Sequence, residues 1–200
     1  EILVINEIHC TSSEDFNPDD WIELYNPNTS AIDLSDWQLK DDDDTHVYTF
    51  PLNTFIEAED YLVIAKNTTS FSNTFSNITN IIGDFDFGFG NSDSVRIFDE
   101  NDILQDEVIY LSDAPWPNCT GSYGSTIRLN TWDSDNSLAE NWSCQNGKGS
   151  PGMLNTNEPS SKTAIKIYPN PVEDTLYILG TENSTLISVY SILGKLVLQQ

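Results

Sequence analysis

Short apolar runs of strand length, separated by turn-forming residues, restrict the fold of this 200-residue chain more than any other feature. The runs are rich in β-branched and aromatic side chains, and Asn, Asp, Gly and Pro lie between them. No stretch has apolar residues at a convincing helical period with capping residues at its ends. The sequence therefore predicts an all-β sandwich or barrel. Its predicted strands include Ile2–Ile8, Trp21–Tyr25, Trp37–Lys40, Val47–Phe50, Tyr61–Ala65, Val95–Phe98, Leu104–Tyr110 and Thr126–Leu129.

Loop-forming segments divide the chain into two parts. Pro151 and Gly152 end the first set of strands, and residues 155–162 are small and polar with one proline, which is the composition of a linker. A second β run begins at Ala164. We expect a β-sandwich over residues 1–155, a linker over 156–164 and a small β module over 165–200.

Acidic side chains are concentrated in the first part. The chain has 32 acidic and 8 basic residues, and residues 1–155 hold 28 of the acidic and 5 of the basic ones. A field this negative repels phosphate backbones, so we expect no nucleic-acid partner. It attracts cations and basic surfaces, or it simply keeps the protein soluble in an extracellular or salty medium. No run is long enough to span a bilayer, and the absence of a signal peptide predicts a processed or excised piece.

The three cysteines, Cys10, Cys119 and Cys144, contain no Cys-x-x-Cys pair, so a structural zinc site is not expected. Cys119 and Cys144 flank a loop-rich region, and outside the cytosol a disulfide between them is plausible. That bond would restrict the unfolded chain and so stabilise the folded state by about 3–4 kcal/mol. Two unpaired thiols remain the alternative, and Cys10 would be an odd, buried thiol.

Clustered aspartates raise the question of calcium. Residues 41–44 are four consecutive aspartates between two predicted strands, which indicates a hairpin turn. Calcium takes six to eight oxygen ligands, but the run lacks the ordered spacing of an EF-hand loop. We therefore expect no cofactor, and keep calcium as a weak alternative. Its candidate ligands are Asp41, Asp42, Asp43, Asp44, Asp133 and Asp135.

Two glutamates lie within predicted strands. Because side chains alternate along a strand, Glu23 lies on the face opposite Ile22 and Leu24, and Glu7 has a similar position on the first strand. They could be a catalytic carboxylate pair. The simpler interpretation is that they accept hydrogen bonds from backbone or side-chain groups.

The two histidines offer little chemistry. His9 and Cys10 are adjacent in a strand and point to opposite faces, so they cannot easily share a proton as a nucleophile pair. His46 follows the acidic turn, where nearby carboxylates favour its protonated form.

An ordered series of strand motifs carries a family resemblance. It comprises Val4-Ile-Asn-Glu-Ile8, Asp20-Trp-Ile-Glu-Leu-Tyr-Asn26, Leu34-Ser-Asp-Trp-Gln-Leu39, Tyr61-Leu-Val-Ile64, Asn91-Ser-Asp-Ser-Val-Arg-Ile-Phe98 and Ser150-Pro-Gly152. The series resembles the lamin-tail domain over nearly all of the first part. The resemblance implies an immunoglobulin-like β-sandwich and no catalysis at Glu7 or Glu23.

Two stretches depart from that family. Asn101-Asp102 stands where family members usually have a glycine turn, and these two residue types tolerate a left-handed turn best after glycine. Residues 67–90 match poorly, and their alternating phenylalanines predict a strand with one buried aromatic face or an exposed recognition loop. We favour the strand for Phe85, Phe87 and Phe89.

The C-terminal module contains a stiff proline bend and a glycine turn, formed by Tyr168, Pro169, Asn170, Pro171, Gly194 and Lys195. With these residues the module resembles the sorting domain of proteins exported by the type IX secretion system of Bacteroidetes. The resemblance implies recognition by the secretion machinery and an extracellular or outer-membrane location. Family members usually continue for several further strands, so we expect a truncated copy.

Three functions stay open on these grounds. The first is a non-catalytic interaction or spacer module of a secreted or surface protein, with any enzymatic domain upstream of Glu1. The second is an adhesin or carbohydrate-binding module that uses exposed aromatics such as Trp116 and Trp132, with or without calcium. The third is a hydrolase that uses acidic residues. The ligand in the first two cases is an unidentified protein or glycan.

Overall fold

The computed structural model describes residues 2–119, 123–145 and 147–153, together with the backbone of four short strands between residues 166 and 199. The chain divides into two units, Glu1–Asn155 and Thr156–Gln200. The first unit contains β1 (Val4–Thr11), β2 (Trp21–Tyr25), β3 (Ile32–Asp33), β4 (Gln38–Lys40), β5 (Tyr48–Thr49), β6 (Phe55–Ile56), β7 (Tyr61–Ala65), α1 (Thr68–Thr74), β8 (Ile81–Gly83), β9 (Asp93–Phe98), β10 (Leu104–Tyr110), β11 (Ser125–Leu129) and β12 (Trp142–Cys144). A single 3-10 turn, Ala139–Asn141, precedes β12.

The strands of the first unit form two main sheets. One has six strands in the order β12-β11-β1-β2-β7-β8, and the other has four in the order β10-β9-β4-β5. Neighbouring strands are antiparallel except β7 and β8, which are parallel. The short strands β3 and β6 form a separate ribbon. The predicted all-β, immunoglobulin-like sandwich is confirmed.

The alternation of side chains along β2 shows how the core is built. Ile22 and Leu24 join the main apolar cluster with residues of the four-stranded sheet such as Ile97. Trp21 faces the other way and belongs to a second cluster with Phe71 of α1. The six-stranded sheet is therefore covered on both faces near β2, which explains why all five β2 residues are buried.

The helix α1 has no counterpart among the elements predicted from the sequence. The Asn67 side chain caps it by accepting a hydrogen bond from the Ser70 N–H at 2.9 Å. With seven residues, α1 is too short to show a repeating apolar period. It is held by packing of Phe71 against Trp21, with ring centroids 5.6 Å apart.

The phenylalanines at 85, 87 and 89 correct an expectation from the sequence. They lie outside any strand, in the irregular segment between β8 and β9, yet all three are buried in the main cluster. Phe85 and Phe87 pack with ring centroids 4.7 Å apart. The segment is therefore neither the favoured strand nor an exposed loop, because an extended chain can alternate its side chains without ladder hydrogen bonds.

In the second unit, the described backbone forms two antiparallel hairpins. Strand β13 (Lys166–Tyr168) pairs with β14 (Tyr177–Leu179), and β15 (Ser188–Tyr190) pairs with β16 (Leu196–Gln199). Tyr168 of the predicted sorting motif ends β13. The other motif residues lie outside the described residues, namely Pro169, Asn170, Pro171, Gly194 and Lys195. None of the helices in the described residues is long and apolar enough to cross a membrane.

Candidate functional site

The two glutamates meet in the middle of the six-stranded sheet. Glu7 on β1 lies directly opposite Glu23 on β2 and, on its other side, opposite Arg128 on β11. All three side chains are buried. The strand register alone thus places two carboxylates and one guanidinium in a row on the outer face of the sheet.

Residues 149–153, which we call the strap, cover this row and donate hydrogen bonds to its two carboxylates. The Ser150 N–H and hydroxyl donate to the two Glu7 oxygens at 2.8 and 3.0 Å. The Gly152 N–H donates to Oε2 of Glu23, whose Oε1 accepts from the Asn6 amide at 2.8 Å. The hydrogen-bonding interpretation of the two glutamates is therefore confirmed.

Arg128 and a glycine complete the fit of the strap. The guanidinium donates to the Ser150 hydroxyl at 2.8 Å and to the Met153 carbonyl at 2.6 Å. Gly149 has φ +84°, and a Cβ there would lie 2.9 Å from the Trp21 ring. A larger residue at 149 would therefore lift the strap from the sheet.

Burial changes the titration of the pair. Loss of solvation raises the pKa of Glu7 to about 7, against the opposing effects of the Ser150 hydrogen bonds and the Arg128 charge. It raises the pKa of Glu23 to about 8, and the charge of Glu7 raises it further. A proton held by a buried carboxyl resembles a general acid, but the strap leaves no space for a substrate.

The acidic turn connects β4 to β5, as the sequence predicts. Asp41 is buried, and its carboxylate oxygens accept from the Asp43 N–H at 2.9 Å and from His46 Nδ1 at 2.8 Å. Its oxygens lie within 4.8 Å of those of Asp42 and Asp93. Asp93, at the start of β9, joins this group although the sequence analysis did not single it out.

Backbone N–H groups already donate to two of these carboxylates, those of Asp41 and Asp93. Asp93 accepts from the N–H groups of Gly90 at 2.7 Å, Ser94 at 2.8 Å and Asp42 at 3.3 Å. Calcium needs six to eight oxygens free to coordinate it, so the three carboxylates fit a hydrogen-bonded turn better than a calcium site. Burial raises the pKa of Asp93.

The remaining calcium candidates lie apart from this group. Asp43 accepts from the Thr45 N–H at 2.8 Å, and Asp44 pairs with Arg96 at 2.8 Å. Asp135 accepts from the Ser137 hydroxyl at 2.6 Å. Within the described part of the chain, neither Asp133 nor Asp135 belongs to a group that could hold a metal.

The histidines behave as the sequence indicates. The hydrogen bond that His46 donates to the Asp41 carboxylate raises the pKa of His46. His9 is stacked on Trp21 at 5.8 Å and bonded to Thr126 Oγ1 at 2.7 Å, and burial lowers its pKa to about 4. Cys10 instead lies in the main apolar cluster, so the two residues form no nucleophile pair.

Cys119 and Cys144 form a disulfide, and Cys10 is a free, buried thiol. Near the disulfide, Trp116 is only 8% exposed because it packs against Tyr110 and Trp142. The expectation that Trp116 is an exposed aromatic is therefore wrong. Trp132 is 37% exposed and lies beside Tyr25.

Comparison with known proteins agrees with both resemblances. The profile of the Lamin Tail Domain family matches residues 2–112, and that of the Secretion system C-terminal sorting domain matches residues 166–200. No curated protein matches the chain. The first match ends before β11 and β12, although β11 pairs directly with β1.

The second match identifies a type IX secretion sorting signal, which implies recognition by the secretion machinery and a secreted or cell-surface protein. The first match covers more than half of the chain, and the sandwich described above has the fold that it implies. The chain belongs to the lamin tail domain family and carries a C-terminal secretion sorting domain.

Proposed function

We propose that the lamin-tail unit is a non-catalytic interaction or spacer module, which the sorting domain delivers to the outer-membrane surface. One observation supports this most strongly. Glu7 and Glu23 are fully buried, and each of their four oxygens accepts a hydrogen bond from the same unit. Neither carboxylate can reach a substrate or activate a water while the strap is in place.

Hydrolase assays on the full chain test the absence of catalysis. We expect no turnover of chromogenic glycosides, esters or peptides, and no difference between the wild type and Glu7→Gln or Glu23→Gln. Turnover that both substitutions abolish, in variants whose circular dichroism is unchanged, would show that the pair is catalytic.

Delivery to the surface has its own test. In a bacterium with this secretion system, the full chain should be digested by protease added to intact cells. A chain ending at residue 164 should stay inside and be protected. Equal protection of the two chains would contradict delivery to the surface by the sorting domain.

Binding of a glycan is a second candidate function. It is favoured by one observation, a cleft of about 540 Å³ that Trp116 and Tyr110 line. This differs from the surface platform expected from the sequence, because Trp132 does not line the cleft. A glycan array separates the two candidates, since a spacer binds none of the glycans.

A further inference from the structure

The cleft opens between the end of β1 and the loop that follows β10. Buried side chains form its floor, namely Cys10, Tyr110, Trp116 and Ile127. Hydroxyl, amide and carboxylate groups surround them, including Ser12, Ser112, Asp113, Asn118 and Ser125. Its volume of about 540 Å³ lies within the range of small-molecule sites.

The floor of the cleft is held in place by contacts on several sides. The Trp116 ring lies 6.4 Å from Tyr110 and 6.0 Å from Trp142, and its backbone N–H donates to the Asp113 carbonyl at 3.2 Å. Cys119, three residues further on, is tied to β12 by the disulfide. The aromatic floor is therefore formed before any ligand arrives, which lowers the entropy cost of binding.

Three polar groups at the cleft have no hydrogen-bond partner among the residues that the structure describes. Trp116 is more than nine-tenths buried, yet among the described residues nothing accepts a hydrogen bond from its indole Nε1. Within the same part of the chain, the Asp113 carboxylate and the Asn118 amide also make no hydrogen bond. The buried, unpartnered side-chain atoms of the described residues are Trp21 Nε1 and Arg128 Nε, so the Trp116 indole N–H can bond water and exchange it for a ligand oxygen.

The lining chemistry restricts the ligand. No lysine or arginine is among the described lining residues, and the unit carries 28 acidic against 5 basic side chains, so anionic ligands are repelled. The indole can donate a hydrogen bond, the carboxylate can accept one, and the aromatic floor can pack against an apolar face. A sugar ring supplies all three, since each hydroxyl both donates and accepts and the C–H groups are apolar.

We propose that this cleft binds a neutral saccharide, with Trp116, Asp113 and Asn118 as its hydrogen-bonding residues. The proposal rests on glycan binding as the second candidate function. Trp116 acts through its indole N–H and ring edge, so no exposed stacking platform is required. Asp113 and Asn118 are exposed and form hydrogen bonds with the hydroxyl groups of the sugar.

The test is a nuclear magnetic resonance titration of the full, ¹⁵N-labelled chain. The probes are the methyl glycosides of glucose, galactose, mannose and N-acetylglucosamine. We expect at least one probe to shift the Trp116 indole signal and leave the Trp132 indole signal in place. Asp113→Ala and Asn118→Ala should each weaken binding by about tenfold, and Trp132→Ala should leave it unchanged.

Each other outcome overturns the proposal in a different way. Binding that Trp132→Ala abolishes, with Asp113→Ala and Asn118→Ala unaffected, would place the glycan elsewhere and preserve the second candidate function. Absence of any shift with all four probes would overturn the saccharide proposal and leave the spacer role standing. Shifts at the cleft with an unstructured peptide only would assign it to a peptide ligand.

Discussion

The pair Glu7–Glu23 and the group Asp41–Asp42–Asp93 both bring carboxylates together, but their surroundings differ. The glutamates are sealed under the strap beside one buried guanidinium. In the aspartate group Asp41 is buried, whereas Asp42 is exposed and Asp93 is half-buried. The comparison indicates that exclusion of water matters more than the number of carboxylates. It decides whether such a group is protonated near neutral pH or only accepts hydrogen bonds within a turn.

The largest effect should follow from removal of the buried cation. Above pH 8, where both buried carboxyls are ionised, Arg128→Ala leaves them without their counter-charge and removes the bonds to Ser150 and Met153. We expect the free energy of unfolding to fall by about 3–5 kcal/mol, measured by urea denaturation.

Arg96→Ala is the matched control, because Arg96 pairs with the exposed Asp44 on the acidic turn. The fall in the free energy of unfolding should be smaller for Arg96→Ala than for Arg128→Ala, although Arg96 also donates to the Asp41 carbonyl. Equal losses in the two variants would show that the buried cluster is no more important than the turn.

A smaller effect concerns pH. The pKa values of Glu7 and Glu23 are raised from 4.5 to about 7 and about 8. The folded state therefore holds protons that the unfolded state releases, and their stabilisation is complete below pH 4.5. It is lost as the pH rises through 7 to 8, by an amount on the order of a few kcal/mol.

The double variant Glu7→Gln/Glu23→Gln isolates this contribution. Its urea midpoint should change less between pH 4.5 and pH 8 than that of the wild type. Asp42→Asn on the exposed turn should leave the wild-type pH profile in place. Parallel profiles for the wild type and the double variant would contradict the raised pKa values.

The smallest effect is expected for calcium. Because backbone N–H groups occupy the carboxylates of Asp41 and Asp93, melting temperatures in calcium and in chelator should coincide. A calcium-dependent rise that Asp93→Asn abolishes would identify a metal site at the turn.

Local patterns predicted much of this molecule. The alternation of side chains in residues 21–25 indicated which of them enter the core. It also indicated that Glu23 must have a hydrogen-bond partner. The aspartates between two strands indicated the hairpin, and the loop-rich region between Cys119 and Cys144 indicated the disulfide that the structure contains. These features depend on neighbours in the sequence or on simple burial rules.

Features that depend on distant residues could not be predicted. Ser150 lies 143 positions from the Glu7 that it bonds, and no local pattern links them. Asp93 reaches the acidic turn only because β9 pairs with β4. Trp116 looked exposed because its neighbours are prolines and polar residues, and its burial depends on Trp142, which lies on the distant strand β12.

Direct titration of the side-chain carboxyls by ¹³C nuclear magnetic resonance tests the central claim, that Glu7 and Glu23 are a sealed structural pair. We expect midpoints near pH 7 for Glu7 and near pH 8 for Glu23. The midpoint of Asp43 should lie below the ordinary aspartate value, because Thr45 donates hydrogen bonds to it. Midpoints near 4.5 for both glutamates would show that water reaches them and would contradict the account.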